Sequence, residues 1–454
     1  MAGPPLMAIG DSLFNGVRSL TIDAALASWS APAQLAKALG IANFTAPDYP
    51  RNVVINFEKW LTEILDIPGV LADLSSNIAF WNTQPKSKLA QFDNIAIAST
   101  TWSDMTNRTW KTAEAEIAQI NHLVAAGQTT YNDNLGALFF AFNTRFILNP
   151  AGDPNAPALT PIEIVAARKP QRLVISIGAN DGLWPMAFMS AASPGFNKVD
   201  GVYGPAQVTA AGNFIAALKA LPPEVEHIYL NALPLPSTVP NMMPWDDDFS
   251  NKPGPAGFFP QYENRFGFNY GKLTAAQIAA NNQTVIDVGA FLLNLVGADP
   301  RIHFVPIDQM LMTYDFKTNA AGQQIPAPGG IEINNLMIDA GTDVTTMYDF
   351  WDGGFAGLDG MHPTFVGYNL MAKTILDTIV TCEPDFGPTG ALPTIDEAFA
   401  ADSLLTHLPG DWDELLYAWR DAREDFHIGG PPPVLSVAGG RMQSLMKLVQ
   451  FKVH

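Results

Sequence analysis

The 454-residue sequence holds a single cysteine, Cys382. That excludes an intrachain disulfide framework and any cysteine-based zinc site. Long apolar runs are also missing. The best candidate, Val288–Ala298, is interrupted by Asn294 and falls short of the ~18 residues that suggest a membrane-spanning helix. Basic residues are scarce: 25 Lys and Arg stand against 44 Asp and Glu, a formal charge of −19. Nucleic-acid phosphates and anionic membranes are therefore poor partners for this chain. No Gly-x-Ser-x-Gly elbow, His-Glu-x-x-His helix, Walker loop or dinucleotide fingerprint occurs, so neither a cofactor nor a metal is expected. Asp246-Asp247-Asp248 reads as a solvated acidic loop in preference to a calcium site. The first strand candidate starts within six residues of Met1, leaving no room for a secretory leader. A cytoplasmic protein is the default expectation, unless an export leader has been removed. The oligomeric state is not legible.

What is present is a large supply of core. Hydrophobic residues make up 48% of the chain, and charged residues only 15% against a usual figure of about 25%. Short apolar runs at Leu6–Ile9, Asn94–Ser99, Arg172–Ile177, His227–Leu233 and Ile302–Ile307 read as five strands. Between them lie helical patterns at Phe57–Leu65, Trp110–Ala126, Leu135–Leu148, Val208–Leu221 and Thr274–Val296, with a last core helix at Phe365–Val380. The stretch from Gly16 to Leu39 predicts one broken or two short helices. Apolar strands alternating with helices predict an α/β fold with a parallel sheet covered on both faces.

Long irregular stretches follow the third, fourth and fifth strands, at Trp184–Gly204, Ser237–Gly271 and Gln309–Asp352. In an open α/β sheet such loops leave the carboxyl edge, where ligands bind. Trp184, Met186 and Phe188, with further Met, Phe, Trp and Tyr residues, suggest an apolar groove or a small core of the loops themselves. The proline- and glycine-bearing segment after Cys382 divides the chain into a main domain, 1–382, and a C-terminal helical extension, 383–454. Helices are expected in the extension near Ile395–Leu408 and Asp411–Asp425, with a mildly basic end at Arg441–His454.

The chemistry-bearing residues sit at strand ends. Gly10-Asp11-Ser12 closes the first strand, which suits either a nucleophile beside a helix N-terminus or a helix cap. His362, in a glycine-rich turn with Asp359 three residues earlier, is the strongest base candidate among seven histidines. Asn180, in the turn after the third strand, can donate to an oxyanion or cap a turn, and a backbone N–H after the second strand can also donate.

Gly10-Asp11-Ser12-Leu13, Gly178-Ala179-Asn180-Asp181 and Asp359-Gly360-Met361-His362-Pro363 together resemble three blocks of the GDSL, or SGNH, hydrolases, in that family's order across residues 5–380. The resemblance implies a flavodoxin-like three-layer α/β/α fold with a five-stranded parallel sheet, here with the long loop insertions noted above, and metal-free ester hydrolysis. It implies Ser12 as nucleophile, His362 as general base and Asp359 as its orienter. The oxyanion hole would comprise the Ser12 N–H, the Asn180 amide and the N–H of Ser99, which stands where the family carries a glycine. Apolar acyl or aryl esters, small or lipid-like, are the expected substrates. A carbohydrate O-deacetylase of the same fold and a non-catalytic binding protein are the alternatives.

Overall fold

The computed structural model describes residues 3–62, 67–199, 201–244, 258–264, 272–315, 325–328, 331–333, 354–357 and 359–406. The expected helix at Asp411–Asp425, the Asp246-Asp247-Asp248 loop, Trp245, Phe266, Phe268 and the basic end lie outside these residues.

Strands β1 (Leu6–Gly10), β2 (Arg172–Ser176) and β3 (His227–Asn231) are runs of five residues with almost every position buried. Burial on both faces is what a parallel strand under helices requires. Three short strands, β4 (Met242–Pro244), β5 (Gln261–Asn264) and β6 (Lys272–Thr274), form an antiparallel sheet of their own. The parallel sheet is completed by β7 (Ile302–Val305), in the order β1-β2-β3-β7. A hairpin, β8 (Ile325–Ala327) and β9 (Ile331–Ile333), follows. The stretches read as irregular therefore carry small sheets of their own, too short to show period-2 alternation.

Among the described residues the parallel sheet has four strands, where five are expected. The Asn94–Ser99 segment lies beside β1, on the side away from β2, through one parallel bridge between Ala8 and Asn94. Its inward amides, Ile95 and Ile97, donate to the carbonyls of Ala8 and Gly10 at 2.9 and 2.8 Å. Its alternate amides find side chains: Ala96 N–H donates to Asn94 Oδ1 at 3.1 Å and Ala98 N–H to Asn143 Oδ1 at 2.9 Å. The edge is thus closed by side chains, with no ladder.

The helices follow from their caps and faces. Trp110–Ala125 starts at the Thr109 capping box and buries Trp110, Ala113, Ile117 and Ile120 on one side. It packs on Leu135–Leu148, which is buried over most of its circumference. Ala31–Ala38 and Phe365–Cys382 pack together and against β1 and β7. The Gly16–Leu39 stretch holds two short helices, Ala24–Ser28 and Ala31–Ala38. Gly16 itself does not open a helix: its φ of +92° ends the single turn Ser12–Asn15.

The described part of the C-terminal extension packs on the main domain. Glu383 forms an ion pair with Arg172 of β2 and accepts from Tyr229 at 2.6 Å. Helix Ile395–Ala401 lies against Phe365–Cys382. No helix among the described residues is long and apolar enough to cross a membrane.

Asn143 is fully buried and holds both Ala98 N–H and, at 2.8 Å, the Tyr49 hydroxyl. Replacing it with alanine strands a buried amide, a loss of about 1–3 kcal/mol. Urea unfolding of Asn143→Ala should show that loss, and an unchanged midpoint would mean the edge is held by other contacts.

Candidate active site

Three carboxyl ends meet at one point. Residue 94–99 flanks β1 on one side and β2 on the other, so the chain reverses its direction of travel across the sheet beside β1. Such a switch point opens a crevice at the strands' carboxyl ends. Ser12 follows β1, Ser99 ends the flanking segment, and Asn180 follows β2.

The β1 end has little freedom. Gly10 sits at φ +141°, and a Cβ there would lie 2.0 Å from the Ser176 carbonyl oxygen. Only glycine allows β1 and β2 to approach so closely at this turn. Asp11 then caps the turn Ser12–Asn15 by accepting from Leu13 N–H at 3.1 Å. With the cap supplied by Asp11, Ser12 is the first helical residue and its hydroxyl serves elsewhere. It lies 2.9 Å from His362 Nε2.

His362 Nδ1 in turn lies 2.5 Å from Asp359 Oδ2. Asp359 is fully buried and also accepts from the N–H groups of Leu20, Met361 and His362 at 2.8–3.0 Å. Burial pushes the Asp359 carboxyl up, but the His362 charge and these donors outweigh it and hold the group below its usual value. Ser12, His362 and Asp359, the three residues singled out in the sequence, thus lie in one continuous chain of contacts.

The Leu20 donor comes from a strained loop. Ser19 and Leu20 have φ of +48° and +53°, conformations that disfavour an ordinary L-residue. Buried Arg18 anchors this loop: it pairs with both oxygens of Glu58 at 2.7 Å and with Asp402 at 2.5 Å, and its guanidinium lies over Phe365. The extension therefore reaches the site through Asp402, Arg18 and the Leu20 N–H. No local motif announces this network.

Asn180 donates one amide hydrogen to the Thr100 carbonyl at 2.9 Å, and the second has no acceptor among the described residues. Its neighbour Asp181 accepts from Trp102 N–H at 3.1 Å. Burial, outweighing that donor, holds the Asp181 carboxyl well above its usual value. These two bonds stitch the turn after β2 to the segment carrying Ser99. Ser99 adopts φ +68°. This left-handed conformation is one that favours glycine. Neither the Ser12 nor the Ser99 N–H has an acceptor among the described residues.

Two cavities meet at Ser12. The larger, about 340 Å³, is lined by Ser99, Asn180, Trp184 and His362, with Arg108, Glu116 and Phe140 in its wall. The smaller, about 50 Å³, is lined by Asn180, Leu183, Trp184, Met310 and Leu311. Of the three residues expected to bind substrate, only Trp184 lines either cavity. Met186 and Phe188 belong to the core, because 183–188 forms a helix, where a loop is expected, and turns them inward. Phe188 stacks on Trp184 with ring centroids 4.4 Å apart, so it backs the wall. Arg108 and Glu116 had no signal in the sequence, since they stand on elements remote from any motif. Among the described residues no cluster of His, Cys, Asp or Glu could hold a metal ion.

The chain matches no family model, and no curated protein or solved structure is significantly similar to it.

One buried acid stands apart. Asp11 Oδ2 and both amide atoms of Asn231 are buried without a hydrogen-bond partner among the described residues, beside a cavity of about 10 Å³. Burial pushes the Asp11 carboxyl up to about 7, against the pull of the Leu13 N–H and His362. A group whose folded pKa is raised from 3.8 stabilises fully below that value and loses its contribution as pH climbs through 7. Asp11→Asn keeps the cap and removes the titration. Between pH 4 and pH 8 the wild type should lose on the order of 4 kcal/mol relative to the variant. Urea unfolding across that range tests this, and parallel pH profiles would contradict it.

Proposed function

We propose that this protein is a serine ester hydrolase acting through an acyl-enzyme on Ser12. The observation that carries the reading is the Ser12–His362–Asp359 relay, with contacts of 2.9 and 2.5 Å, at the mouth of a cavity that His362 lines. This is the geometry needed for nucleophilic acyl transfer.

Ser12 Oγ attacks the ester carbonyl while His362 Nε2 takes its proton. Asp359 holds Nδ1–H, fixing the tautomer and stabilising the imidazolium that forms. The carbonyl oxygen gains negative charge and is received by the Ser12 N–H, the Ser99 N–H and the free Asn180 amide hydrogen. His362 then passes its proton to the departing alcohol oxygen. Water, deprotonated by the same histidine, attacks the acyl-enzyme, and the acid leaves as Ser12 regains its proton. A backbone N–H serves at position 99 whatever the side chain, so serine in place of glycine preserves this donor.

The α/β sheet with its switch point beside Ser12 supports an SGNH-type arrangement, in which residues 94–99 take the fifth strand's place. Phe139, Phe140 and Trp184 suit an apolar or aryl portion of the substrate. A carbohydrate O-deacetylase is the second reading, favoured by Thr101, Ser103, Asp104, Arg108 and Glu116 in the same cavity.

Hydrolysis of p-nitrophenyl butyrate tests the assignment. Ser12→Ala should lower kcat at least about 10⁴-fold, and Asn180→Ala on the order of 100-fold. Wild-type rates in Ser12→Ala would exclude the mechanism, and a loss under about threefold in Asn180→Ala would remove that residue from the oxyanion hole.

A further inference from the structure

The two cavities that meet at Ser12 differ in size, chemistry and access to the base. His362 lines only the larger one. Given the ester-hydrolase reading, on which this inference rests, that difference orients the substrate. The base must protonate the leaving oxygen, so the alcohol lies on the His362 side and the acyl group on the other.

We propose that the smaller cavity receives a short acyl group, acetyl to butyryl, and the larger one a hydroxyl-bearing alcohol such as a sugar or polyol.

The smaller cavity is walled by Leu183, Val239, Pro240, Ile307, Leu311 and Phe355, and no charged group lines it among the described residues. A site for one water measures about 10–15 Å³ on this scale, so its ~50 Å³ admits roughly three or four non-hydrogen atoms. The alkyl part of a butyryl group fills that space, and an octanoyl chain exceeds it.

The larger cavity, about 340 Å³, has the size of a small-ligand site. One part of its wall is aromatic, with Phe139, Phe140 and Trp184. Another part is polar, with Arg108, Glu116 and Ser103. The Arg108 guanidinium lies 4.2 Å from the Phe140 ring centroid and binds Glu116 at 2.5 Å. An alkyl alcohol would set apolar groups against Arg108, Glu116 and Ser103, whereas hydroxyls pair with them. A sugar pairs apolar C–H faces with a rim of hydroxyls, matching both parts of the wall. The ion pair with Glu116 offsets the Arg108 charge, so a neutral alcohol fits better than an anionic one.

The test measures kcat/KM of the full chain on p-nitrophenyl acetate, butyrate, octanoate and palmitate. A second series measures acetate release from penta-acetylated glucose and from hexyl acetate. The expected result is a fall of at least tenfold from butyrate to octanoate, and at least tenfold preference for the sugar ester. Met310→Ala, which opens the smaller cavity from the partly buried helix Ile307–Thr313, should move the optimum to longer acyl chains. Arg108→Ala should lower turnover of the sugar ester at least tenfold while keeping the acyl-length profile. A wild-type optimum at octanoate or palmitate, or an unmoved optimum in folded Met310→Ala, overturns the acyl assignment. Preference for hexyl acetate overturns the alcohol assignment. The wild-type series decides both points even where a variant misfolds. Absence of turnover on every ester would instead strike the ester-hydrolase reading itself, and this proposal with it.

Discussion

The site depends on one buried carboxylate. Asp359 accepts four hydrogen bonds: from His362 Nδ1 and from the backbone of Leu20, Met361 and His362. A carboxylate without water is stable only when its lone pairs are filled. Those donors come from two distant stretches of chain, so satisfying the charge also fixes the Ser19–Leu20 loop against the turn that carries His362. The strained φ values of that loop persist because Arg18, Glu58 and Asp402 hold it from the other side. The histidine is thereby held at Ser12, the kind of preorganisation that the proposed hydrolysis requires.

A second aspartate, Asp11, shares the neighbourhood with the opposite tendency. It is as buried as Asp359 but accepts only the Leu13 N–H, so burial dominates and its carboxyl rises to about 7 while that of Asp359 falls. Two carboxyls near one histidine are thus pushed apart, chiefly because Asp359 pairs directly with His362 and also receives more donors. One is held as the anion beside His362, and the other caps the turn beneath Ser12 with far less charge at acid pH. Separation of this sort assigns different roles to like groups.

Much of this was legible in the sequence because it is local. Gly10-Asp11-Ser12 is a strand end, a cap and a hydroxyl in consecutive residues, and Asp359 lies within one turn of His362. The parallel strands announced themselves as continuous apolar runs, and Leu135–Leu148 as a helix with the bounds it has. Misreadings arose where tertiary contacts override pattern. Residues 94–99 look like a full strand, yet Asn94 and Asn143 side chains replace the neighbouring ladder. Met186 and Phe188 look like groove residues, yet a six-residue helix after Gly182, too short for visible periodicity, turns them into the core. Arg108, Glu116 and the Arg18–Asp402 pair had no local signal. Arg18 and Asp402 are 384 residues apart and meet only in the fold.

The most direct test of the account is covalent. Intact-mass and peptide mass spectrometry after treatment with a fluorophosphonate reports which hydroxyl is nucleophilic. Wild type should form one adduct, on the peptide containing Ser12, and His362→Ala should form none. No adduct on a folded wild-type protein, or one on another residue, would contradict the assignment of Ser12 and His362 as nucleophile and base.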